Sequence, residues 1–242
     1  MRKNLVIVFP LYLFLCSFTW EIIDKSLVTK KFEEMNSQLK ALQNYSIVVS
    51  HFSYESFVST VAHEKSTGYF KRANNNYHSF LMGIHTIQNQ MCKLVIDSIH
   101  NTIFISDPDL SWQQTFTQAD YLALMNLSTS VLKNQVGDKI GYRLEFSEKH
   151  PLNAYEILLN SKGLPEKISI YFNREIKMQD NSITKPRMEI VLKDWNKNAA
   201  FSKDEFDENK YFQKKGDKYF LKAPFANNYK LIDQRVKAKQ KR

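Results

Sequence analysis

The residues of this chain whose types could do chemistry are six histidines, His51, His63, His78, His85, His100 and His150, and two groups of carboxylates. A metal centre needs several His, Cys or carboxylate ligands converging on one point. His51 and His63 share strand parity, but no pattern of supporting ligands accompanies them. His78 and His85 fall on opposite faces if Tyr77 to Ile87 is one regular strand. The spacing therefore predicts surface or singly hydrogen-bonded histidines and no metal site. Glu145 with Glu148, or Asp204, Glu205, Asp207 and Glu208 around Phe206, could supply the paired acid and base of a glycosidase. Charge runs of the second kind are usually solvated faces or turns. Nucleophile-elbow, P-loop, dinucleotide and zincin motifs are absent from the sequence. The expectation is a protein that is not an enzyme and takes no cofactor.

Residues 1–19 read as a secretory signal peptide: Arg2 and Lys3, an apolar run from Leu5 to Leu15, then the small residues Ser17 and Thr19. The run is shorter than the roughly 20 residues of a membrane-spanning helix, so cleavage is expected rather than an anchor. Leu15 stands where a lipobox calls for a small residue, so lipidation at Cys16 is not expected. Removal of the signal leaves Cys92 alone, a small apolar core residue in the segment Met91 to Ile96. The net charge of +9 falls by two on cleavage, and residues 234–242 form a basic tail. Such a tail is most simply a solvated terminus, although anionic headgroups would suit it; export argues against nucleic acid. Asn44-Tyr45-Ser46 and Asn126-Leu127-Ser128 fit the glycosylation sequon, a motif frequent by chance.

The elements that position these groups are mostly strands. Residues 25–43 predict an amphipathic helix, with Val28, Phe32, Met35, Leu39 and Leu42 as one stripe. Ser46 to Ala62 predicts one or two strands. Gly68 to Arg72 turns through Ala73-Asn74-Asn75-Asn76 into a returning strand, Tyr77 to Ile87. Met91 to Asp97 and Thr102 to Ser106 form a hairpin through Ser98-Ile99-His100-Asn101. Thr117 to Lys133 predicts a second helix, capped by Thr117 with Asp120 in its first turn and ended by Gly137-Asp138. Strands then recur at Lys139 to Glu148, Tyr155 to Asn160, Lys167 to Glu175, Lys185 to Trp195, Lys210 to Gln213 and Lys218 to Lys222. One domain, a long antiparallel meander with two helices, accounts for this order.

That order resembles the LolA, LolB and LppX-like lipoprotein carriers. Gly68-Tyr69-Phe70-Lys71-Arg72 is similar to the family's "G-x-F" strand. Leu94-Val95-Ile96-Asp97 and Thr102-Ile103-Phe104-Ile105-Ser106-Asp107-Pro108 resemble its early hairpin, with Ser98 to Asn101 where the family carries a Gly. Phe201 to Phe206, Tyr211-Phe212, Ala223-Pro224-Phe225 and the closing Tyr229-Lys230-Leu231-Ile232-Asp233 are similar to its ending. The resemblance implies a mainly β, α+β fold over residues 20–233: one curved antiparallel sheet, a half-barrel, with helices packed over its concave face. It implies a periplasmic carrier that holds the acyl chains of lipids or lipidated proteins between sheet and helices. The implied lining is Phe70, Phe80, Met82, Leu94, Ile96, Leu124, Met125, Tyr142 and Leu144, with core packing as the equally weighted reading of each. Arg72 lies nearest to the family's lid-closing arginine, though an exposed strand arginine is the plainer reading. A monomer with only peripheral membrane contact is expected. Two other functions fit the sequence: a non-catalytic docking subunit of a cell-envelope or secretion machine, recognisable by a stoichiometric protein partner, and an enzyme of unfamiliar type, recognisable by perturbed acids or histidines in a polar cleft.

Overall fold

The computed structural model describes residues 20–109, 118–178, 180–216 and 218–235. The predicted export segment with Cys16, the predicted helix cap Thr117 and residues 236–242 of the predicted tail lie outside them. The chain begins with β1 (Glu21–Ile22) and α1 (Lys25–Ala41), followed by β2 (Asn44–Tyr54), β3 (Glu64–Ala73), β4 (Asn76–Leu81), β5 (Ile84–Gln88), β6 (Lys93–Asp97) and β7 (Thr102–Ser106). Next come α2 (Gln118–Leu127), β8 (Ser130–Val136), β9 (Lys139–Glu145), β10 (Leu152–Leu159) and β11 (Pro165–Phe172). A small hairpin, β12 (Ile176–Lys177) and β13 (Ile183–Thr184), precedes the long β14 (Arg187–Asn196). The C-terminal unit has two short 3-10 turns, Lys203–Phe206 and Glu208–Lys210, then β15 (Phe212–Lys215), β16 (Lys218–Leu221), α3 (Phe225–Asn228) and β17 (Lys230–Asp233).

Thirteen strands form one open sheet in the order β1-β8-β9-β10-β11-β14-β2-β3-β4-β5-β6-β7-β17. This is a mostly β, curved half-barrel with helices packed on it. Two meanders, β2–β7 and β8–β11, are joined where β14 pairs with both β11 and β2. Every pairing in the sheet is antiparallel except the last, where β17 runs parallel to β7. The expected simple meander therefore needs correcting at its end. The parallel closing strand is reached through the C-terminal unit, whose hairpin β15–β16 forms a separate two-stranded sheet.

Register separates two faces. One, the helical face, carries Tyr45, Ile47 and Val49 of β2, Leu192 of β14, Ile168 of β11, Ile157 of β10 and Tyr142 and Leu144 of β9. Asp24 caps α1 by accepting from the Ser26 amide at 2.7 Å, a bond worth about 1 kcal/mol. The stripe Val28, Phe32, Met35 and Leu39 then buries against the β8–β11 half of this face. Each such side chain contributes roughly 1.5–3 kcal/mol. Phe32 meets Tyr142 edge-on with ring centres 5.8 Å apart and Tyr121 of α2 at 5.0 Å.

Three local expectations are corrected. The second helix stops at Leu127, and Val131 and Leu132 lie in β8. Ser128 donates its hydroxyl to the Met125 carbonyl at 2.8 Å, closing the helix, and the hydroxyl residues Thr129 and Ser130 compete with further helical bonds. Gly137-Asp138 is accordingly the β8–β9 turn. The segment 46–62 is a single strand ending at Tyr54, after which Val58 and Val61 lie exposed in a loop. Tyr77 to Ile87 is two strands, because Met82 and Gly83 both take positive φ, 52° and 76°, and reverse the chain.

Candidate functional site

The sheet presents two apolar sites, one on each face. On the helical face, Met125, Tyr142 and Leu144 share one buried cluster with α1, and Leu124 packs at its edge. Phe70 lies on the same face but in a neighbouring cluster with Tyr45, Ile47, Val49 and Leu192. Its ring stacks between Tyr45 and Tyr77, at 5.8 Å from each. Arg72 donates to the Leu39 carbonyl in the last turn of α1 at 3.4 Å and to the Asn74 carbonyl at 2.8 Å, so it ties the helix end to β3.

The other lining residues are elsewhere. Leu94 and Ile96 point to the opposite face and join Ile87, Ile103, Ile105 and Phe212. Phe80 is on that face too, 4.4 Å from the His85 ring. Met82 is an exposed turn residue. The nine residues thus do not meet in one cavity. Phe80, Leu94 and Ile96 share one face with each other but not with Phe70, because Phe70 pairs with Ser79 across the β3–β4 hairpin and Phe80 therefore points the other way.

The helical-face interior is closed by its own side chains: Val28, Leu144 and Val131 are at most 1% exposed, and Met125 is 3% exposed. It also contains unpartnered polar atoms. Both polar atoms of the Asn36 amide, on the buried side of α1, lack a hydrogen bond. So do His51 Nδ1 and Ser66 Oγ, which face each other across β2 and β3. A buried, unsatisfied polar group costs about 1–3 kcal/mol. The closed packing is therefore less stable than its apolar contacts alone imply.

On the opposite face the C-terminal unit covers β5–β7 with Tyr211, Phe212, Tyr219, Leu221 and Phe225. A polar clasp holds it. Glu205, in the first 3-10 turn, receives Lys71 Nζ at 2.7 Å and His78 Nδ1 at 3.0 Å. The Tyr69 hydroxyl reaches His78 Nε2 at 3.1 Å, and His85 Nδ1 lies 3.5 Å from the same nitrogen. Thus His78 and His85 share a face, contrary to the reading of one regular strand; the intervening turn reverses the chain and brings them together. Glu205 was legible only as part of a charge run. Burial lowers the His78 pKa from its ordinary 6.5, outweighing the opposing pull of Glu205. Burial likewise lowers His85. Burial works to raise Glu205, but hydrogen bonds from Lys71 and His78 prevail and hold it below the usual carboxylate value. The neutral His78 with its proton on Nδ1 donates to Glu205 and accepts from Tyr69.

This arrangement gives a sign to acid sensitivity. Unfolded, His78 binds its proton near 6.5; folded, it does so only at lower pH. Its contribution is present above the unfolded value and is lost as pH falls through the folded one. Melting curves from pH 7.5 to 5 should show the midpoint falling below about 6.5. His78→Gln should flatten that fall, with His85 supplying the remainder. An unchanged pH profile in the variant would contradict the assignment.

The other candidates have ordinary surroundings. His63 faces Glu55 at 3.2 Å and His100 faces Asp97 at 2.7 Å, all near turns. Glu145 receives Arg143 at 3.3 Å and Ser130 at 2.9 Å. Among the described residues, no group of three His, Cys, Asp or Glu could hold a metal. Cys92 is buried, and burial pushes its thiol up to about 12; it is a core residue with little thiolate character.

No protein-family model matches the chain, and no curated protein matches it. The solved structures that are similar at low level include the following two. A DUF1329 family protein from Desulfovibrio piger ATCC 29098 is 8% identical, with TM-score 0.36 over 77% of this chain and 99% of that one. A "putative outer membrane lipoprotein-sorting protein domain" from Vibrio parahaemolyticus is 10% identical, with TM-score 0.30 over 75% of this chain and 98% of that one. Likenesses at these scores carry no argument about function.

Proposed function

We propose that the protein is a non-catalytic envelope carrier that shelters acyl chains, of a lipid or a lipidated protein, on the helical face of its sheet. The observation that carries this reading is α2. Its sequence after Asp120 has no charged residue. Tyr121 and Met125 are buried inward, yet Leu122 and Leu124 are only half-buried and Leu127 is 60% exposed. An uncharged helix this rich in apolar residues is ordinarily surrounded by apolar material; here the side bearing Ala123, Asn126 and Leu127 faces outward. Such a helix can trade its contacts with the sheet for contacts with a ligand. The unsatisfied Asn36, on the buried side of α1, reduces the free energy needed to part helix and sheet. Roughly ten buried methylenes contribute roughly 8 kcal/mol, enough to offset displacement of side chains such as Leu124 and Met125.

The closed interior favours the docking-subunit reading instead, because a filled core needs no ligand. A titration separates the two. The delipidated full chain, mixed with a fluorescent long-chain fatty acid in the absence of membranes, should bind it saturably. Leu124→Asp, at a half-buried position, should weaken that binding at least tenfold while retaining the far-ultraviolet spectrum. Absence of saturable binding by the wild-type chain would remove the carrier reading.

A further inference from the structure

Strand directions place the exposed apolar residues unevenly. β2 ends, and β3 begins, at the same end of the sheet as the β4–β5 and β6–β7 turns. The excursion from β11 to β14 starts and finishes there too, since Arg187 pairs with Tyr54. This rim carries Val58, Val61, Met82, Ile84, Ile99 and Ile183, all exposed. The start of α1 and the end of α2 also meet there, where Lys25 Nζ donates to the Ser128 carbonyl at 2.5 Å. They add Leu27 and Leu127, 61% and 60% exposed. Eight of the thirteen exposed large hydrophobics among the described residues therefore sit at one end.

A second observation is conformational. Asn occupies the left-handed positions 74, 101 and 181, with φ of 53°, 50° and 65°. Asn tolerates that backbone; long apolar side chains do so rarely. Met82 has φ 52° at the equivalent place in the β4–β5 turn, and it is 40% exposed. An apolar side chain is thus held out at a strained position where local folding favours Asn. The tip beside it is fixed: the Ser98 amide donates to the Gly83 carbonyl at 3.0 Å, and a Cβ on Gly83 would lie 3.2 Å from Ile99 Cγ1.

We propose that this rim dips into the apolar layer of a lipid bilayer. The side chains stand on several separate loops, turns and helix ends rather than in one groove, so a fluid phase accommodates them where a rigid protein surface would need several matching sockets. Exposed charges of both signs also stand at this end, among them Glu64, Lys149, Arg174, Glu175, Lys177 and Asp180, so no basic patch of one sign accounts for a membrane contact, and the apolar tips carry it. The start of α1 and the end of α2 lie at this rim, so the proposal deepens the carrier reading, on which it rests for its purpose: acyl chains would enter from the membrane at this end when α2 yields.

Hydrogen exchange of the full chain with and without vesicles of 1-palmitoyl-2-oleoylphosphatidylcholine tests the proposal locally. Vesicles should protect amides at 81–84 and 97–101, and leave those at 74–75 and 89–91, at the opposite end, unchanged. The protection should persist in 1 M salt. Met82→Asn with Ile99→Ser should weaken vesicle partition at least tenfold without lowering the melting midpoint, since Asn suits the turn. The proposal is overturned if the tips gain no protection, if high salt abolishes it, or if the double variant partitions unchanged. The membrane-free fatty-acid titration is independent: binding there with unprotected tips would remove the rim alone, and protected tips without fatty-acid binding would remove the carrier reading alone.

Discussion

Met125→Asp should cost the protein most of its stability. Met125 is 3% exposed and packs in the cluster formed by α1, α2 and β8–β11. Removing a buried Met side chain costs about 2–5 kcal/mol. Placing a carboxylate there adds several more unless it is protonated. The total approaches the roughly 5–15 kcal/mol that holds a whole domain. Urea unfolding followed by circular dichroism should therefore show a midpoint shifted strongly downward, or no folded baseline. A variant with wild-type stability would mean that Met125 lines a pre-formed open cavity. In that case acyl uptake would not require α2 to move.

Gly68→Ala should be nearly as damaging, although it adds one methyl group. The Cβ would lie 1.7 Å from the Phe80 carbonyl oxygen and 2.7 Å from its carbon. Both are backbone atoms of the adjacent β4, which cannot rotate away. Relief requires β3 and β4 to separate, and that displaces Tyr69 and Phe70 on opposite faces at once. Overpacking usually costs about 1–3 kcal/mol; a backbone clash at this distance should exceed about 3 kcal/mol. Chemical denaturation of the purified variant measures it, and a loss under about 1 kcal/mol would show that the strands can part cheaply.

Much of the fold was legible because the alternation was strong. The stripe Val28, Phe32, Met35 and Leu39 gave α1, and the segment Lys185 to Trp195 gave β14. What escaped notice depended on backbone conformation and long-range pairing. Met82 is not a residue whose type announces a left-handed turn, so β4 and β5 were fused. That one omission put His78 and His85 on different faces and obscured the clasp with Glu205, a contact 127 positions away. The α2 boundary was lost because Val131 and Leu132 satisfy both helical and strand periods. The parallel seat of β17 has no local signal, since it follows from where the C-terminal unit packs. Phe70, Leu94 and Leu144 were all recognised as inward-facing, but a sheet with cores on both faces has two inward directions.

The central claim is that the helical face takes acyl chains when α2 yields. Native mass spectrometry of the protein, gently purified from a membrane-containing extract, tests it most directly, with lipid analysis of whatever dissociates. The account requires a mass above that of the polypeptide that resolves, on activation, into an acyl-chain species. A mass equal to the bare chain, with no lipid released, would contradict it.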